Sequence, residues 1–132
     1  MSFELDLRRF VKRTDEKRPK FMRKILFQAF KEITQLTPVR TGRAKGNWFP
    51  SEGSPEVKVT DEKESSQKGA PADVSRVLNI HVTGRKDLYI ANSLPYIDAL
   101  ENGHSQQAPN GMVKITKEKL RQAIESGAIS PD

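Results

Sequence analysis

The chain contains no cysteine, which excludes disulfides, thiolate metal sites and a cysteine nucleophile. Histidine occurs only twice, at His81 and His104. A zinc site needs three or four convergent ligands, and neither His-x-x-x-His nor His-x-x-Glu spacing is present. Long apolar runs are missing as well: none approaches the roughly 18 residues of a membrane span. The opening Met1-Ser-Phe-Glu-Leu-Asp6 lacks the basic and apolar segments of a secretory signal. The expectation is a protein made and kept in the cytoplasm unless it is built into a particle.

Apolar residues make up 35% of the 132 residues, and mean hydropathy is −0.68. That length fits one domain, 1–132, with one core. So polar a chain has either a thin core or long polar segments that a partner covers, as in proteins that exist only in assemblies. The net charge of +6 is unevenly placed: residues 1–50 hold thirteen Lys/Arg against five Asp/Glu, the remainder ten against twelve. A basic N-terminal part fits either a nucleic-acid contact or a solvated helix face meeting an acidic partner.

Leu5, Leu7, Phe10 and Val11 form a short apolar stripe, followed by a wholly polar stretch, Thr14 to Lys20. Pro19 suits a first helical position. Phe21, Met22, Ile25, Leu26, Ala29, Phe30, Ile33 and Leu36 then recur at helical spacing, which predicts a long helix ending before Thr37-Pro38. Such a stripe reads as core, since a surface helix must bury one face. A strand is expected to start at Asn47-Trp48-Phe49 and close at Pro50, with a second short strand at Val57-Lys-Val59. Residues 60–71 are charged and lack apolar anchors, which predicts a mobile surface loop. Ala72 to Ile80 fits a short helix capped by Asp73, or a strand from Val77 to Val82; the helix is preferred. Leu88-Tyr-Ile-Ala91 reads as a buried strand. Pro95 opens a short helix that Asn102-Gly103 stops, and Pro109-Asn-Gly111 is a corner. Met112, Ile115, Leu120, Ala123 and Ile124 predict a last helix ending near Gly127, followed by a frayed tail, 128–132. Tyr89, Ile90, Tyr96, Ile97 and Leu100 are expected to bury the segment around Pro95 against the long helix. The class is α+β: a long N-terminal helix and shorter helices packed on a small, mostly antiparallel sheet.

Catalytic constellations are weak. His104 and Ser105 have Asp98 and Glu101 nearby, but neighbours in sequence seldom form a triad. Asp98 and Glu101 share a helical face, with nothing apolar beside them to shift a pKa. Gly42-x-x-x-Gly46-Asn47 lacks the Lys-Ser/Thr ending of a phosphate-binding loop. Its glycines fit a turn at Gly42 and a close backbone approach at Gly46. No enzyme, cofactor, metal or small-molecule substrate is expected.

Three motifs carry a resemblance: Thr37-Pro-Val-Arg-Thr-Gly-Arg43, Gly46-Asn47-Trp48, and Tyr89 to Val113, which includes Asn92, Pro95-Tyr-Ile97, Leu100-Glu101 and Ala108-Pro-Asn-Gly-Met-Val113. Together they resemble the tail-completion and minor tail proteins of long-tailed bacteriophages, over roughly residues 5–125. The chain departs at Arg40, where the family usually has Asp, and at His104, where it often has an aromatic. The resemblance implies an N-terminal helical region and a structural virion protein of the neck, assembled in the host cytoplasm. It would form a ring, a hexamer to match a sixfold tail tube. The ring would join the tube to the head connector and let DNA pass, without any membrane. Implied partners are further copies, a tail terminator or tube protein, and a head connector or stopper protein. Tail termination is the alternative within this family. A basic nucleic-acid-binding module using Arg8 to Lys24 is the alternative outside it.

The loops are the expected assembly surface: Arg40, Arg43, Lys45 and Trp48 on the glycine-bearing segment, and Glu101, His104, Ser105, Gln106 and Gln107 around the second turn. Arg43 and Glu101 are either partners in an Arg–carboxylate contact or two separate solvated charges.

Overall fold

The computed structural model describes residues 3–6, 18–64, 67–103, 107–108 and 110–130. Its elements, in chain order, are β1 (Phe3–Asp6), α1 (Arg18–Leu36), a 3-10 turn (Lys45–Asn47), β2 (Phe49–Glu52), α2 (Ser75–Leu78), β3 (Leu88–Asn92), α3 (Ile97–Glu101) and α4 (Val113–Glu125). The sheet has the order β1-β3-β2 with both pairings antiparallel. Helices on a small antiparallel sheet make the fold α+β.

α1 buries Phe21, Met22, Ile25, Leu26, Ala29, Phe30 and Ile33, the stripe that helical periodicity predicts. Against it pack Leu88 and Ile90 of β3, Leu94, Ile97 of α3, and Met112, Val113 and Leu120 at and within α4. β3 is the central strand, so it has no solvated edge and is buried at Leu88, Ile90, Ala91 and Asn92. Lys119 of α4 meets Glu32 of α1 at 3.4 Å. No helix among the described residues is long and apolar enough to cross a membrane.

Several local expectations need correction. The N-terminal region begins with a strand, since Phe3–Asp6 pairs with Tyr89–Asn92; the rest of the Leu5–Val11 stripe and the basic residues up to Lys17 lie outside the described residues. The segment before β2 forms a 3-10 turn at Lys45–Asn47, and Pro50 lies inside the strand opposite Ile90. β2 is an edge strand, where proline is tolerated. Val57-Lys-Val59 joins no ladder. Residues 75–78 form a helical turn preceded by Asp73, whose carboxylate accepts from the Ser75 N–H at 2.8 Å.

Two further corrections concern burial. Tyr96 is 42% exposed: it precedes the first residue of α3, and Ile97 is the residue that α3 buries. Leu100 is only partly buried at the edge of the core. The chain after α4 folds back instead of fraying. Gly127 adopts φ +81, the Ile129 N–H donates to Ala123 at 3.1 Å, and Lys24 Nζ donates to the Ser130 carbonyl at 2.9 Å. Ile129 is 9% exposed and belongs to the core. Residues 131–132 lie outside the described residues.

Ile90 is fully buried, so Ile90→Ala should lower stability by about 2–5 kcal/mol. Tyr96→Ala should change it by no more than about 0.5 kcal/mol, as surface substitutions do. Chemical denaturation of the two variants checks both, and equal losses would contradict the placement of Tyr96.

Candidate functional site

The glycine-bearing segment, residues 37–48, is fixed by buried polar contacts. Thr37 closes α1: its hydroxyl donates to the Ile33 carbonyl at 2.6 Å and accepts from the Trp48 indole N–H at 2.9 Å. Trp48 is 0% exposed and Thr37 1%. A buried indole N–H costs free energy unless it is bonded, and one hydroxyl satisfies it here. Gly42 has φ +86, and a Cβ there would lie 2.3 Å from the Glu64 carbonyl; a Cβ on Gly46 would lie 2.7 Å from that of Glu62. The turn and the close approach read from sequence are both present. Their partner is the 60–64 segment.

That segment has polar anchors where the sequence shows no apolar ones. Asn47 donates to the carbonyls of Arg43 and Thr60 at 2.8 and 3.0 Å, and accepts from the Thr60 N–H at 2.8 Å. The Glu64 N–H donates to Gly42 at 3.0 Å. Lys45 is 1% exposed, and its ammonium donates to the carbonyls of Gln67 and Ala70 at 3.0 and 2.5 Å. Burial lowers the Lys45 pKa, with Glu64 opposing the shift. The Arg76 guanidinium donates to the Gly46 and Trp48 carbonyls at 2.7 and 3.1 Å, pairs with Glu62 at 2.9 Å, and stacks 4.2 Å from the Phe49 ring centroid. Residues 65–66 lie outside the described residues.

The second motif block is tied to the first by Asn92, whose amide donates to the Ala44 carbonyl at 2.9 Å and whose carbonyl oxygen accepts from the Leu94 N–H at 3.1 Å. Glu101 has a role that the sequence does not reveal. Its carboxylate accepts the backbone N–H groups of Met112, Val113 and Lys114 at 2.7, 2.8 and 3.2 Å. It therefore satisfies the otherwise orphaned donors at the start of α4, where the helix dipole also favours negative charge.

Of the expected interface residues, Trp48 and Lys45 are corrected outright: both are buried within the chain and have no surface to offer. Glu101 is committed to α4 and makes no ion pair with Arg43, whose ion-pair partner among the described residues is Asp61, at 3.5 Å. Gln107 is exposed, and its side chain pairs with the Val39 backbone, accepting from the N–H at 2.7 Å and donating to the carbonyl at 3.2 Å. Arg40 is exposed. His104, Ser105 and Gln106 lie outside the described residues.

These placements bring Arg40, Arg43 and Gln107 together in one groove of about 730 Å³, lined also by Pro38, Val39, Tyr96 and Leu100. It is open, partly apolar and carries two guanidinium groups. No group of three or more acidic or histidine side chains among the described residues could hold a metal ion. Comparisons with protein-family models, with curated proteins and with solved structures find no match.

Glu101→Ala should destabilise the protein by about 1–3 kcal/mol, because buried backbone donors lose their acceptor. Glu101→Gln should recover part of that loss, and thermal unfolding of the pair measures both. A second prediction concerns Lys45. Its folded pKa lies below its unfolded value, so the unfolded state binds more protons between the two. Stability from this group therefore rises with pH across that window and is complete above the unfolded pKa, about 10.4. The wild type should gain on Lys45→Met in urea denaturation as pH rises toward the unfolded pKa. A difference that is constant or falls with pH would contradict the burial of a charged Lys45.

Proposed function

We propose that this chain is a structural component of a long-tailed phage neck, forming a ring that joins the tail tube to the head connector and lets DNA pass. The sequence motifs carry the family resemblance. What supports it physically is the division of labour among their residues. Thr37, Gly42, Gly46, Asn47, Trp48, Asn92 and Glu101 serve backbone geometry, capping and burial. None of these roles is catalytic chemistry. Arg40, Arg43, Tyr96 and Gln107 are what the frame leaves at the surface.

In this proposal the protein has no enzymatic activity and belongs to the virion, assembled in the host cytoplasm. Its partners are copies of itself in a ring, a hexamer on a sixfold tube, with a tail terminator or tube protein on one side and a head connector or stopper protein on the other. Charged groups at such interfaces set register and partner choice more than raw affinity. Tail termination is the neighbouring role that the same motifs would serve.

Electron microscopy of particles assembled without the protein tests the proposal: filled heads and free tails should accumulate unjoined, whereas normal particles would refute it. Arg43→Glu should leave the monomer folded, because the ion pair with the fully exposed Asp61 contributes no more than about 1 kcal/mol. The same variant should block joining of tails to heads, scored as infectious particles.

A further inference from the structure

The segment from Pro55 to Glu64 lies along residues 42–49 in antiparallel fashion. Lys58 sits over the Phe49 ring at 5.3 Å, Thr60 is bonded to Asn47, and Glu64 to Gly42. Val57 and the groove around Arg40 and Arg43 therefore lie at opposite ends of one strip, roughly 20 Å apart for extended chain.

The two ends are complementary. At one end Val57 is 81% and Val59 46% exposed, with the exposed carboxylate of Glu56 beside them. At the other, the groove combines Pro38, Val39, Tyr96 and Leu100 with Arg40 and Arg43, and no acidic residue among the described residues lines it. Neither Glu56 nor Arg40 has an ion-pair partner among the described residues. Arg43 Nε is shielded from solvent and has no acceptor among them.

We propose that the Glu56–Val59 arm of one copy docks in the Pro38–Ala44 groove of the next, its valines against Tyr96 and Leu100 and Glu56 on Arg40. The occupant is a second copy of this chain because Glu56 brings a carboxylate, unpaired among the described residues, beside two exposed valines where the groove is basic and apolar. Lys58, between the valines, is turned onto the Phe49 ring of its own chain. Two different patches at opposite ends of one strip make a head-to-tail contact, the kind that generates a ring when its rotation closes. The inference deepens the ring proposal and rests on it only for closure; the contact itself rests on the arm and the groove.

The absence of native cysteine permits a direct test. Val57→Cys and Tyr96→Cys each replace an exposed side chain, and the two full-length variants are mixed under mild oxidation. A disulfide-linked dimer containing one chain of each should form in the mixture and not with either variant alone. Arg40→Glu should abolish assembly in size-exclusion chromatography, and adding Glu56→Arg to the same chain should restore it. Cross-linking of Val57→Cys alone as strongly as the mixture would mean a symmetric contact and overturn the proposal. Rings seen by negative stain without the mixed cross-link would overturn it while leaving the ring proposal intact. A protein that stays monomeric at every concentration overturns it too. A mixed cross-link, together with normal joining in particles lacking the protein, would uphold the contact and remove the neck function.

Discussion

The hydrogen bond from the Trp48 indole to the Thr37 hydroxyl holds together what the rest of the fold hangs on. Thr37 is the point where α1 ends, and Trp48 is the residue before β2. Joining them at 2.9 Å fixes the loop between helix and sheet to one closure. The hydroxyl's own proton goes to the Ile33 carbonyl while its oxygen accepts the indole N–H, so a helix terminus and a buried aromatic are satisfied by the same oxygen. With that closure set, the carbonyls of Ala44, Gly46 and Trp48 face Asn92 and Arg76. Replacing Thr37 alone would leave the buried indole N–H unpaired, at more cost than the bond's own net contribution.

A chain so poor in apolar residues needs this arrangement. Its core is α1 against β3 and α4. Beyond it, residues 60–64 and 67–70 are held by Asn47, Lys45 and the close approach at Gly42 and Gly46, through hydrogen bonds to main-chain atoms. Backbone contacts of this kind do not depend on which side chains the held segment carries. The valines at 57 and 59 are therefore not needed for anchoring, and both are exposed.

Legibility in the sequence followed the same division. α1, β3 and α4 were readable because burial of one face imposes a period, and the cap at Gly127 because a left-handed residue favours glycine. β1 was not, because its four residues carry too short a pattern to separate strand from helix. Pro50 misled because its cost depends on whether the strand is central or at an edge, a property of the sheet order and not of the local sequence. In the candidate site, the turn at Gly42 and the approach at Gly46 were legible as backbone requirements. The duties of Lys45, Trp48 and Glu101 were not. A lysine beside glycines looks solvated until its carbonyl acceptors, 22 and 25 residues away, are known. Glu101 looks like half of an acid pair until the start of α4 is seen to fall on its carboxylate.

That misreading explains why the motif residues make a poor guide to the assembly surface. A residue type can be demanded by the fold at one position and by a partner at another, and the same charged side chain serves either need. Lys45 and Arg76 spend their charge on carbonyl groups inside the chain. Arg40 has no such acceptor among the described residues, and Arg43 pairs with the fully exposed carboxylate of Asp61 at 3.5 Å while its Nε has no acceptor among them. An uncompensated guanidinium next to partly apolar lining gains most where a partner brings both a carboxylate and a methyl-rich surface, since excluding water strengthens the charge contact. Glu56 and Val57 offer that combination from the far end of the polar-anchored strip, which is why the proposed contact runs between copies and not within one.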